Sequence, residues 1–92
     1  MGKVTLKGYI VVPEDDLFAV RAALPEHIRL TRQEPGCLEF KVDEVSGQPG
    51  RFDVFESFLT MTDFESHQAR VKSSDWGTVT KDVQRHYTID EA

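Results

Sequence analysis

The chain predicts an α+β domain of order βαββαβ, with helices on one face of an antiparallel sheet. Three observations carry this. Lys3 to Val12 is rich in β-branched and aromatic residues and stops at Pro13, as a strand does. Two alternating runs, Cys37 to Val45 and Arg51 to Thr60, flank the turn-rich Ser46-Gly47-Gln48-Pro49-Gly50 and read as a hairpin. Between and after these runs, apolar residues recur at helical spacing. A length of 92 residues fits one domain, 1–92.

In the first strand Val4, Leu6, Ile10 and Val12 share a face with Gly8, and Thr5, Lys7, Tyr9 and Val11 share the other. Gly8 marks a bulge, or else room for a ligand or helix. Glu14-Asp15-Asp16 then opens a helix, with acids where the macrodipole favours them. Its buried stripe is Leu17, Val20, Leu24, Ile28 and Thr31. Pro25 predicts a kink, or two abutting helices of which it starts the second. Pro35-Gly36 ends the element. Leu38, Phe40 and Val42 share one face of the next strand, and Phe52, Val54, Glu56 and Phe58 one face of the third. Thr62 or Asp63 is expected to cap a helix running to about Lys72, with Phe64, His67, Gln68 and Val71 at helical spacing. A helical turn is expected from Trp76 to about Lys81, and a last strand from Arg85 to Ile89.

Composition narrows the function classes. Hydrophobic residues at 39% and charged residues at 29% make an ordinary globular mix. A formal net charge of −5 and the lack of a basic run argue against nucleic acid as a partner. Val4 to Val12 is too short to span a membrane, and no signal peptide is recognisable, so a cytoplasmic protein is expected. The single cysteine, Cys37, excludes an internal disulfide, and no histidine or cysteine spacing suggests a metal.

Glu56 is the most informative residue. Its phase with Phe52, Val54 and Phe58 points a carboxylate at the helices, which is costly unless it is hydrogen-bonded or protonated. It reads as a proton acceptor or the orienter of a base, or as a structural acid satisfied by a backbone amide, Trp76 or an arginine. His67, between Phe64 and Val71, reads as a base near neutral pKa or as a satisfied core imidazole. His27 flanks the inner stripe of the first helix, half exposed and within reach of a cavity. His86 belongs on the surface. Phe40, Phe58 and Trp76 are candidate walls for a flat ring substrate, with packing the competing reading. No inward-facing cluster of arginines is evident. Tyr9, Val11, Val45, Phe55 and Leu59 make the far sheet face too apolar for open solvent. A second copy packed sheet to sheet would cover it.

The helix-ending Glu34-Pro35-Gly36-Cys37-Leu38, the strand Phe52-Asp53-Val54-Phe55-Glu56-Ser57-Phe58 and the following helix with His67 resemble the antibiotic biosynthesis monooxygenase family, over nearly the whole chain. The resemblance implies a ferredoxin-like subunit in a dimeric α+β barrel. It implies a pocket between sheet and helices, with the family's strand glutamate and helix histidine falling on Glu56 and His67. It also implies oxygenation of a phenol or quinol without flavin, haem or metal. Other members isomerise small phosphorylated ketones. Phe58 stands where the family often has tryptophan, and Ser73-Ser74-Asp75-Trp76 where a second histidine often follows the helix. The expected function is therefore a cofactor-independent monooxygenase of a small aromatic compound, working with oxygen as a homodimer joined through the sheet. An isomerase of a small carbonyl compound and a non-catalytic binding dimer are the alternatives.

Overall fold

The computed structural model describes residues 2–92. Four strands, β1 (Val4–Val11), β2 (Cys37–Glu44), β3 (Arg51–Phe58) and β4 (Gln84–Glu91), form one antiparallel sheet of order β2-β3-β1-β4. Helices α1 (Leu17–Arg32), α2 (Met61–Lys72) and α3 (Asp75–Val79) connect them. This is the expected ferredoxin-like arrangement, in which β1 and β3 are the central strands and the β2–β3 hairpin closes one edge.

The inner sheet face carries Val4, Leu6, Ile10, Phe40, Val42, Phe52, Val54 and Phe58, all buried in one core with Val20, Phe64 and Trp76 from the helices. Register sets the phase: Leu6 pairs with Glu56, which pairs with Phe40. Directly opposed residues of an antiparallel ladder share a face, so Glu56 points inward, as its spacing predicts.

Five local expectations need correction. Of the two readings of Pro25, a kink or a pair of abutting helices, the second falls, because the first helix continues through Pro25 as one element. Pro25 and Arg21, whose carbonyl the missing N–H leaves unpaired, are both exposed, so the interruption falls on the solvent side of the helix. Gly8 is no bulge, because the β1–β3 and β1–β4 ladders run through it in unbroken register. A Cβ there would stand 1.8 Å from the His86 carbonyl oxygen, so glycine lets β4 approach. Leu38 does not share the inner face with Phe40 and Val42. A register shift between Cys37 and Glu39 turns it out, 53% exposed. The second helix begins earlier than expected, at Met61. Its cap is Thr60, whose hydroxyl oxygen accepts from the Asp63 amide at 3.1 Å. The last strand is longer than expected, Gln84–Glu91.

Two connections position the site. At the end of α1, Arg32 donates to the Phe40 carbonyl at 2.9 Å, which ties the helix terminus to β2 and sets Glu34 above the sheet. After α2, the Ser74 side chain accepts from the Gly77 amide at 3.2 Å and starts α3. Gly77 packs so closely on the end of α2 that a Cβ would meet the Val71 carbonyl oxygen at 2.2 Å. This junction folds Trp76 back under the helices, which explains a tryptophan in a polar linker.

Every residue of β4 is exposed. Register with Ile10, Gly8 and Leu6 nevertheless turns Arg85, Tyr87 and Ile89 to the inner face, so the helices leave that side of the core open. Gly8→Ala should destabilise the fold by about 2 kcal/mol or more, because backbone cannot move aside as a side-chain tip can. The check is a lowered urea midpoint at unchanged m value; an unchanged midpoint would show that β4 is free to shift outward.

Candidate functional site

Between the sheet and the helices lies a cavity of about 600 Å³, within the usual range for small-molecule sites. Leu6, Ile10, Phe40, Val42, Val54, Phe64 and Trp76 give it apolar walls, and Glu56, His67 and His27 put polar atoms among them. The structure thus brings Glu56, His67, His27, Phe40 and Trp76 to one cavity. Phe58 lies one layer behind, its ring 4.9 Å from that of His67.

His67 is buried, 3% exposed, and both its ring nitrogens face carboxyl groups. Nδ1 stands 2.7 Å from Glu34 Oε1, and Nε2 stands 3.7 Å from Glu56 Oε1. The other Glu34 oxygen accepts from Arg70 Nε, and Arg70 Nη2 donates to Thr31 Oγ1 at 3.0 Å. A guanidinium-paired carboxylate beside Nδ1 accepts the imidazole proton there, so the neutral ring keeps its lone pair on Nε2, toward Glu56. Burial pulls the His67 pKa below the usual histidine value; the charge and hydrogen bond of Glu34 oppose this. His67 is therefore a neutral, oriented base at pH 7.

Glu56 is the complementary group. Burial first, then the charge of Glu34, push its pKa up to about 7. Its Oε1 is buried and makes no hydrogen bond within the protein. Neither a backbone amide, Trp76 nor an arginine satisfies that oxygen. At 3.7 Å the His67 contact is longer than a hydrogen bond, and both groups remain available to a third.

His27 departs from expectation. It is buried, not half exposed, at 5%. Its ring stacks on Trp76 at 4.6 Å with 4° between planes and meets Phe40 edge-on at 5.2 Å. Burial, His67 and Arg70 push its pKa down to about 3, so it stays neutral and serves as a flat wall. His86 lies on the surface as expected, stacked on Tyr9. Burial raises the Cys37 thiol, against a nucleophilic role. Among the described residues, no group of three or more His, Cys, Asp or Glu is placed to hold a metal, and no helix is long and apolar enough to cross a membrane.

Glu34, Arg70, Arg85 and Tyr87 also belong to the site, although strand and helix periodicity single out none of them. Arg70 had a signal, since it follows His67 by one helical turn. Glu34 had only its place before Pro35-Gly36. Arg85 and Tyr87 required the β1–β4 register. Desolvation and the nearby Glu56 push Tyr87 up to about 12, although the residue as a whole is 37% exposed. Its side chain thus spans from solvent into the cavity.

The family model described as antibiotic biosynthesis monooxygenase matches residues 4–77. The chain belongs to that family. Among solved structures, a candidate antibiotic biosynthesis monooxygenase of Deinococcus radiodurans is 25% identical, with a TM-score of 0.77 over 98% of this chain and 91% of that one. A conserved Bacteroides thetaiotaomicron protein of unknown function is 17% identical, with a TM-score of 0.77 over 99% of this chain and 98% of that one. MupZ of Pseudomonas fluorescens is 18% identical, with a TM-score of 0.76 over 99% of this chain and 70% of that one. For the last two the likeness is one of fold. No curated protein matches the chain.

The Glu56 pKa has a consequence for stability. A buried carboxyl whose pKa is raised stabilises the fold below the unfolded value of 4.5 and loses that contribution as pH rises through about 7. Glu56→Gln removes the cost of ionisation. It should therefore stabilise the protein at pH 8 by on the order of 2–3 kcal/mol relative to its effect at pH 4. Urea unfolding of both proteins at the two pH values checks this; a pH-independent difference would place Glu56 ionised in the folded state.

Proposed function

We propose that the protein is a cofactor-independent monooxygenase of a small phenol- or quinol-like aromatic compound, acting as a cytoplasmic homodimer. One observation carries the reading: a neutral imidazole, held by Glu34 with Nε2 toward an unpartnered Glu56 carboxyl, at the edge of an aromatic-walled cavity. His67 Nε2 takes the hydroxyl proton of the substrate. The resulting anion is electron-rich and gives electrons to molecular oxygen. One oxygen atom bonds to a ring carbon; the O–O bond then breaks, and the second atom leaves as water. A phenol and one O₂ become a quinone and one H₂O, and the substrate supplies all the electrons.

Each protein group has a share in this. Glu34 and Arg70 hold the tautomer and offset the positive charge His67 acquires. Glu34 also borders a groove on the outer surface with Pro35, Asp63 and Ser66, which gives the proton a way out on the side remote from the cavity. Protonated Glu56 donates a hydrogen bond to an oxygen that gains negative charge. The apolar walls keep water from the reactive intermediate.

With a hydroxylated naphthalene as substrate, oxygen uptake should fall by about 10²–10⁴-fold in His67→Ala. The profile of kcat/KM should be bell-shaped. It should rise through a midpoint below 6.5, where His67 loses its proton, and fall near 7, where Glu56 ionises. In Glu56→Gln the alkaline limb should vanish, because the amide still donates. Uptake unchanged in His67→Ala would remove His67 from the mechanism, and product formed without oxygen would favour isomerisation.

The homodimer rests on the outer sheet face, where Tyr9, Val11, Phe55 and Leu59 lie, with Val11 37% and Leu59 55% exposed. A domain this small buries only roughly 60–65% of its chain surface alone, and a sheet-to-sheet partner would cover this patch. Sedimentation should show a dimer at micromolar concentration, and Leu59→Glu should shift it to monomer. A monomeric native protein would overturn this mode of assembly.

A further inference from the structure

The cavity reaches solvent between α2 and β4, and the chemistry there differs from that of the interior. Of the lining residues, Gln68, Lys72, Arg85, Tyr87 and Ile89 are exposed. They come from the second half of α2 and the inner face of β4, so they frame the mouth. Two are cations, in a chain whose net charge is −5. Arg21, Arg29, Lys41, Arg51 and Arg70 each pair with a carboxylate; Lys3, Lys7, Arg32 and Lys81 do not line the cavity. Among the described residues neither Lys72 nor Arg85 forms an ion pair of this kind.

Arg85 is also held in place. Its Nη2 donates to the Thr80 carbonyl at 3.0 Å, and the Thr80 hydroxyl in turn donates to the Trp76 carbonyl at 2.6 Å. The guanidinium is thus fixed to the end of α3, beside the aromatic wall and within hydrogen-bonding reach of the Tyr87 hydroxyl, and it carries five N–H donors in all. The cavity is graded from end to end: a carboxyl and an imidazole inside, flat apolar walls between, and two unpaired cations at the opening.

Building on the reading of the cavity as an aromatic site, we infer that its ligand is an aromatic hydroxy acid. The hydroxyl meets His67 and Glu56, the ring lies against Trp76, His27 and Phe40, and a carboxylate at the far end of the ring system is held by Arg85 and Lys72. Arg85 supplies directional hydrogen bonds; Lys72 adds a mobile point charge. The opposite orientation would strip a ligand carboxylate of water among apolar walls, with both unpaired cations left at the other end of the cavity.

Isothermal titration of a hydroxynaphthoic acid and of its methyl ester tests this at low ionic strength. The native protein should bind the acid about five- to tenfold more tightly than the ester, the range for two partly exposed ion pairs. Added salt should weaken the acid alone. The preference should vanish in the Lys72→Gln, Arg85→Gln double variant, shrink in Lys72→Gln alone, and persist in Arg85→Lys. Lys72 is exposed, so its variant tests the inference without risk to the fold. Equal affinity for acid and ester would overturn the carboxylate assignment and leave the aromatic site standing. Binding of neither compound would overturn both.

Discussion

The hydrogen bond between Glu34 and His67 is the constraint on which the rest of the site depends. It links the end of the first helix to the middle of the second across 33 residues of sequence. It also decides the chemistry of the imidazole. A buried histidine with no acceptor at Nδ1 would be free to place its proton on either nitrogen. With Glu34 there, only Nε2 offers a lone pair, and it faces the cavity. Arg70 keeps the arrangement from being a buried lone carboxylate, which would be costly. Its own anchor, Thr31, is fully buried on the inner stripe of the first helix, so the network is braced from below by the core.

That bracing explains why so small a domain tolerates ionisable groups inside. Charge is confined to the helix side, where Glu34 and Arg70 approach solvent. On the sheet side, Glu56 avoids the penalty by holding its proton to near neutral pH, and His27 by remaining neutral throughout the physiological range. The aromatic stack of His27 on Trp76, with Phe40 at its edge, fills space that aliphatic side chains would leave irregular. It also presents a planar surface to the cavity. The same residues therefore pack the core and shape the pocket, which is why a packing reading and a binding reading of Phe40 and Trp76 do not exclude each other.

Much of this was legible in the sequence, for physical reasons that differ between elements. Strand faces were readable because a period of two leaves little freedom once one face is buried; Glu56 was found by phase alone. The β2–β3 hairpin was readable from its turn residues. Leu38 defeats alternation because the register shift between Cys37 and Glu39 reverses phase inside the strand, and Pro35-Gly36 just before it read only as the end of the preceding element. The role of Gly8 is not local, because the atom it makes room for, the His86 carbonyl oxygen, lies in a strand 78 positions away. The helix stripe alone leaves His27 half in solvent because it does not reveal α3, whose Trp76 covers the ring. Glu34 was visible only as part of a turn. Its role required two helices to be docked, and no spacing within either one encodes that.

The two groups at the floor of the cavity are useful together only because their environments push them in opposite directions. In water a glutamate would be the stronger acid by about two units and would sit ionised beside a neutral or charged imidazole. Here burial lowers His67 and raises Glu56, so near neutral pH the imidazole is free to accept and the carboxyl is able to donate. Desolvation is the largest cause at both groups, and the Glu34 charge adds to it at Glu56 while opposing it at His67. Removing Glu34 would therefore not simply weaken a base. It would release the tautomer, relieve the upward pressure on Glu56 and leave Arg70 without its carboxylate. The acid–base pair is a property of three carboxyl-and-imidazole positions held in line, rather than of the two that face the cavity.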